Sequence, residues 1–295
     1  MQVVATLSLK GGVGKTTVAL GLAGAALHHG VRTLLVDLDP QANVTIATDV
    51  PATAATVAEV LDDPRRSVLR RAIAPSGWGD GLDVLVGAEQ TERHNHPEPG
   101  AKQLIKLARA LSRLRTDDDA TDGGEPGSPA GEPGTTNGPG PYRLVIIDCP
   151  PSLGQLTRSA LTAADRAVLV TDPTMFAVSG VQRAFDAVQT ERQRSNPGLQ
   201  PLGVMINRVR PRNSEHEFRI EELREIFGPL VFSGVLPDRS AIQQAQGACM
   251  PIQAWDTPGA REVSAVFTAL LGRVLRSGSR SQPRSQAEHA APPIT

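Results

Sequence analysis

The chain has 295 residues, of which 40% are hydrophobic, and a formal net charge of −1, so a globular fold with a sizeable core is expected. Aromatic residues make up only 3%, which leaves little for base-stacking platforms, and the near-zero charge confines any nucleic-acid surface to a local patch. The two cysteines, Cys149 and Cys249, exclude a disulfide scaffold and a Cys-x-x-Cys metal or cluster site. No apolar run approaches the roughly 20 residues that span a bilayer. The first residues lack the basic-then-apolar layout of a signal peptide, so a cytoplasmic protein without membrane attachment is expected.

In chain order, strand-like apolar runs fall at 2–8, 32–37, 82–86, 144–147, 166–171, 201–206 and 230–235. Helical patterns lie between most of them, at 16–29, 101–115, 177–194, 215–227 and 258–276. The alternation predicts one doubly wound α/β domain over 1–276, a mostly parallel sheet with helices on both faces. Val145-Ile146-Ile147 and Val168-Leu169-Val170 have the unbroken aliphatic character of strands buried on both sides. Residues 117–141 are rich in Gly and Pro and open on Asp117-Asp118-Asp119, which predicts a disordered surface insertion. Residues 277–295 read as a disordered polar tail, with no apolar face for a membrane.

The most informative stretch is Leu9 to Thr17, L-K-G-G-V-G-K-T-T, between a strand-like run and a helical one. That is the context of a phosphate-binding loop. Gly11, Gly12 and Gly14, with Val13 between them, let backbone N–H groups close on phosphate oxygens, and the helix start adds its own free donors. Lys15 supplies a point charge to the β and γ phosphates and Thr16 a hydroxyl for magnesium. The usual pattern asks for Gly at position 9, but Leu9 stands there, followed by a second lysine, Lys10.

Two further strands end in carboxylates. Arg32 to Pro40 reads R-T-L-L-V-D-L-D-P, and on a continuing strand Asp37 and Asp39 share one face beside the phosphate loop. Leu144 to Ser152, L-V-I-I-D-C-P-P-S, places Asp148 where a Walker B carboxylate holds magnesium, directly or through water. Cys149 beside it reads as a small buried filler.

Taken together, Lys10–Thr17, Asp37-Leu-Asp-Pro-Gln-Ala-Asn43 and Asp148-Cys-Pro-Pro-Ser152 resemble the ParA/MinD family of deviant Walker A ATPases. The likeness extends through Ala160–Asp165, Phe176–Gly180 and Gly203–Asn207, and is greatest to the ParA/Soj branch that partitions chromosomes and plasmids. The resemblance implies a P-loop NTPase fold, ATP and Mg2+ as cofactors, and a homodimer that sandwiches two ATP molecules, with Lys10 reaching into the partner's site. It implies that Asp39 orients or activates the attacking water, and that Thr17 lies near the α phosphate. Thr16, Asp39 and Asp148 would make up the metal site, Thr16 binding directly with Asp148 behind it. Asn207, with Pro237 and Asp238 of the Leu236-Pro237-Asp238 loop, would line the adenine. Turnover would be slow and stimulated by a ParB-like centromere-binding partner. The ATP dimer would bind double-stranded DNA without sequence preference, making the protein nucleoid-associated. Arg208, Arg210, Arg212 and Arg219 are the candidates for that surface, and Arg212 falls where the family carries a DNA-contacting arginine. A second family arginine falls on Gln189 here, with Arg192 nearby as a substitute. The alternatives are a MinD-like or organelle-positioning ATPase, towards which Leu236-Pro237-Asp238 leans, a metal-cluster relative, which the cysteine positions disfavour, and a binding module without hydrolysis.

Overall fold

The computed structural model describes residues 1–115 and 140–279. The strands are β1 (Gln2–Leu7), β2 (Thr33–Asp37), β3 (Ile73–Pro75), β4 (Leu82–Leu85), β5 (Leu144–Asp148), β6 (Arg166–Thr171) and β7 (Gln200–Ile206). The helices are α1 (Lys15–His28), α2 (Asn43–Ala47), α3 (Val57–Asp62), α4 (Arg66–Ala72), α5 (Ala101–Ser112), α6 (Gln155–Ala163), α7 (Ala177–Arg194), α8 (Ser214–Phe227), α9 (Ser240–Gly247) and α10 (Pro258–Ser279). The strands form one sheet in the order β3-β4-β2-β5-β1-β6-β7, parallel except for β3, which pairs antiparallel with β4.

Side-chain alternation along each strand divides the core into two layers. Val3, Ala5, Leu34, Val36, Val145 and Ile147 pack on one face with α3 to α8. Val4, Leu35, Leu144 and Ile146 pack on the other with α1, α9 and α10. Both faces are dry, which is why these strands are continuously aliphatic rather than alternating. Helix α1 is buried almost all round, and its small residues let it lie between the sheet and α10. A Cβ on Gly21 would stand 2.1 Å from the ring of Phe267, a core residue of α10.

The doubly wound α/β architecture predicted from the sequence is what forms. The run 230–235, predicted as a strand, follows the edge of β7 only intermittently. Val231 bridges to Val204 and Pro237 to Val209, with a bend at Ser233–Gly234 between them. Gly and Pro flank this segment, and they interrupt the ladder. β3 and the short helices α2, α3, α4, α6 and α9 were not anticipated. The final helix runs to Ser279, three residues past its predicted end. The insertion predicted at 117–141 lies outside the described residues except at its last two positions, and the tail does beyond Ser279. No described helix is long and apolar enough to cross a membrane.

Candidate nucleotide site

The strand order sets the site. β1 lies between β5 and β6, and β2 lies beyond β5, so the carboxyl ends of four parallel strands open on one crevice. The turn after β1 enters α1 through Gly12 (φ 76°) and Gly14 (φ 93°), left-handed conformations that favour glycine. A Cβ on Gly14 would also collide with the Asn207 amide at 2.1 Å, whereas Cβ atoms on Gly11 and Gly12 would meet only open space. The loop is therefore shaped by its own backbone and by Asn207, whose Nδ2 donates to the Val13 carbonyl at 2.8 Å. Lys15 is buried, with 6% of its surface exposed.

Asp148 and Asp37 are register partners on β5 and β2, and Thr6 of β1 faces Asp148 from the other side. Thr16 Oγ1 donates to Asp148 Oδ2 at 2.7 Å, so the helix start is tied to the end of β5. β2 ends at Asp37, but the Leu38 amide still donates to the Asp148 carbonyl at 3.1 Å and Leu38 joins the core layer of Leu34 and Val36, so Asp39 stands just past the ladder and differs from Asp37 in its hydrogen-bond partners. Asp37 is fully buried and accepts the Thr45 amide and hydroxyl, each at 2.8 Å, while its Oδ1 has no partner. Asp39 is nearly buried, and its Oδ1 accepts the Gln41 amide at 3.0 Å.

Burial pushes Asp148 up to about 8, reinforced by repulsion from Asp37 and Asp39 and opposed by Thr16 and Lys15. Burial likewise lifts Asp37 to about 6, against its hydrogen bonds from Thr45. Asp148 thus has two further carboxylates and one buried lysine around it, an arrangement that accepts further positive charge. Among the described residues no group of three His, Cys, Asp or Glu side chains could hold a metal ion alone. Magnesium suits such a place, since it binds through one or two protein oxygens together with substrate phosphates.

These shifts set a pH dependence. A carboxyl whose folded pKa lies above its ordinary value of 3.8 stabilises the fold below 3.8, and that contribution is lost as pH rises through the folded value. Without nucleotide and magnesium, the melting temperature of the wild type minus that of Asp148→Asn should therefore fall steadily between pH 4 and about 8. Saturating Mg-ATP should flatten the decline. A difference that is level or rises over that window contradicts the assignment.

Lys10 lies where the sequence placed it, before the glycines, and is held within its own subunit. Its Nζ donates to Asp172 Oδ1 at 2.8 Å and Oδ2 at 3.1 Å, and to Thr174 Oγ1 at 2.9 Å. Asp172 follows β6, which pairs with β1, so the topology joins residues 162 apart in sequence. Sequence reasoning missed Asp172, although Val168-Leu169-Val170-Thr171-Asp172 has the same aliphatic-run-then-Asp layout as residues 144–148. It also missed Gln246, whose amide reaches Thr17 Oγ1 at 3.4 Å.

Pro237 and Asp238 run beside Val209, close to Asn207 at the end of β7. The arginines divide into two groups. Arg208 (φ 58°) and Arg212 (φ 59°) are exposed in strained left-handed positions and have no ion-pair partner among the described residues. Arg210 pairs with Asp238 at 3.0 Å. Arg219 lies between Glu215 at 2.7 Å and Glu222 at 3.0 Å, so it presents little net charge.

A family model described as the CobQ/CobB/MinD/ParA nucleotide binding domain matches residues 4–252, from β1 to beyond α9. The chain belongs to this family. Among ParA/MinD-family proteins it is similar to the chromosome partitioning protein ParA of Caulobacter vibrioides, 30% identical over 261 residues, covering 87% of this chain and 88% of that one. It is also similar to the sporulation initiation inhibitor protein Soj of Bacillus subtilis, 28% identical over 258 residues, covering 86% and 91%. Among solved structures it resembles a cobyrinic acid a,c-diamide synthase from Mycobacterium smegmatis with bound ATP analogue and magnesium. That match has 25% identity and a TM-score of 0.70, and covers 94% of this chain and 97% of the other. The family resemblance inferred from the motifs and the fold observed here agree.

Proposed function

We propose that this protein is an ATP-dependent dimerisation switch with slow, partner-stimulated ATPase activity. It binds double-stranded DNA without sequence preference in the ATP state and partitions a chromosome or plasmid with a ParB-like partner. The observation that carries the reading is Lys10. This lysine is not spent on its own phosphate loop but lies beside it, one third exposed, in a polar contact that can be exchanged. A cation presented there offsets triphosphate charge across an interface only when ATP is bound, so ATP favours the dimer and hydrolysis releases it. In each site Lys15 and the loop amides bind the phosphates, Thr16 holds the magnesium with Asp148 behind it, Thr17 lies towards the α phosphate, and Asp39 orients the water. Asn207, with Pro237 and Asp238, flanks the base. Similarity to ParA and Soj over most of both chains supports the partitioning role.

The deciding experiment is binding to random-sequence duplex DNA with ATP, with ADP and without nucleotide, across a salt series. Binding with ATP alone is expected, weakening steeply as salt rises because several phosphates are neutralised at once. Arg212→Ala should weaken it, and Arg219→Ala should do so much less, because Arg219 is already neutralised by Glu215 and Glu222. Absence of binding in every nucleotide state would remove the DNA role and leave a positioning ATPase that acts on another surface. In parallel, Lys10→Ala should retain ATP affinity within a few-fold yet sediment as a monomer with ATP. ATP-dependent dimers of that variant would overturn the sandwich.

A further inference from the structure

At the amino ends of β6 and β7, opposite the phosphate loop, lies a cleft of about 560 Å³ between these strands and the last turns of α10. The six residues of β6 separate it from the nucleotide end of the sheet by about 20 Å at roughly 3.3 Å per residue. Among the described residues its charged lining is Arg166, Arg273 and Arg276, with no Asp or Glu.

The three guanidiniums are held to different degrees. Arg166 is buried, and its Nη1 and Nη2 donate to the carbonyls of Asp165 and Ser277, each at 2.8 Å. Arg273 stacks over Phe232 at 4.5 Å and donates through Nη2 to the Pro229 carbonyl at 3.2 Å. A guanidinium carries five donors, so most of those on Arg273 remain available. Arg276 is exposed, and among the described residues no carboxylate pairs with it or with Arg273. Burial, and then the neighbouring Arg276, push the Arg273 guanidinium below its ordinary range.

A concave site lined by one sign of charge concentrates the opposite ion. Planar guanidiniums match the oxygens of phosphate, and this volume lies within the range of small-molecule sites. Pro201 and Leu202 add an apolar wall for the uncharged part of a ligand. We propose that this cleft is a second anion site, which takes a phosphate group independently of the nucleotide site. That phosphate belongs either to a free phosphorylated compound or to a DNA backbone, and the test distinguishes the two.

The test uses the full chain with saturating Mg-ADP, so that the phosphate loop is occupied while inorganic pyrophosphate is titrated by calorimetry. Duplex DNA binding is measured alongside with Mg-ATP. Arg276 is exposed, so Arg276→Gln should fold normally, and Arg276→Lys keeps the charge. We expect one saturable pyrophosphate site, weakened about tenfold by Arg276→Gln and partly restored by Arg276→Lys. Loss of pyrophosphate binding with unchanged DNA binding assigns a free compound. Loss of DNA binding in Arg276→Gln assigns the duplex backbone. If the substitution changes neither, the site does not exist.

Discussion

Replacing Lys15 with Ala is expected to lower ATP affinity by about a hundredfold or more, close to abolition at working concentrations. A buried ammonium bonded to phosphate contributes on the order of 3 kcal/mol, and tenfold in affinity corresponds to about 1.4 kcal/mol. The context enlarges the effect. Lys15 is the lysine that opposes the upward shift of Asp148, so its removal leaves that carboxyl, with Asp37 and Asp39 near it, without its counter-charge. Calorimetric titration with Mg-ATP reads the loss, and the circular dichroism melt should remain cooperative. Unchanged affinity in a folded Lys15→Ala protein would eliminate the nucleotide site as assigned.

The second large effect is expected at Asp39. Its carboxylate is fixed by the Gln41 amide and is nearly buried, yet it lies outside the tight pairing that binds Asp148 to Thr16. A group so placed can orient or deprotonate water without first breaking a structural bond. Asp39→Ala should reduce hydrolysis by about 10²- to 10⁴-fold, the usual contribution of a positioned general base. ATP affinity should change little, and the dimer should persist with ATP because its release step is lost. Single-turnover hydrolysis and sedimentation separate these consequences. Wild-type turnover in this variant assigns the water to another residue.

The phosphate loop and the ends of β2 and β5 were legible in the sequence because each is local. A glycine run with flanking strand and helix, or an aliphatic run closing on Asp, carries its own geometry. The central strands were equally legible, since burial on both faces leaves an unbroken apolar signature. Ile73-Ala74-Pro75 was not, because three residues carry no periodicity and a proline argues against a strand; only its edge position beside β4 permits it. α2 and α3 are also too short for a helical period to emerge. The different partners of Asp37 and Asp39, Thr45 for the first and the Gln41 amide for the second, are not revealed by the two-residue spacing. The contact between Lys10 and Asp172 was least accessible, since it exists only because β6 returns to pair with β1.

That contact has an arithmetic consequence. In the two-fold sandwich proposed above, each subunit would have to withdraw its own Lys10 from Asp172 and Thr174 before offering it to the other. The release energy would then enter the dimerisation constant twice, and a change at one residue would be squared in the equilibrium. Weakening the hold by about 1 kcal/mol, the scale of one net hydrogen bond, would tighten association about thirtyfold rather than five- or sixfold. In that proposed dimer, the protein concentration at which subunits associate would be adjustable through a side chain that need not touch ATP.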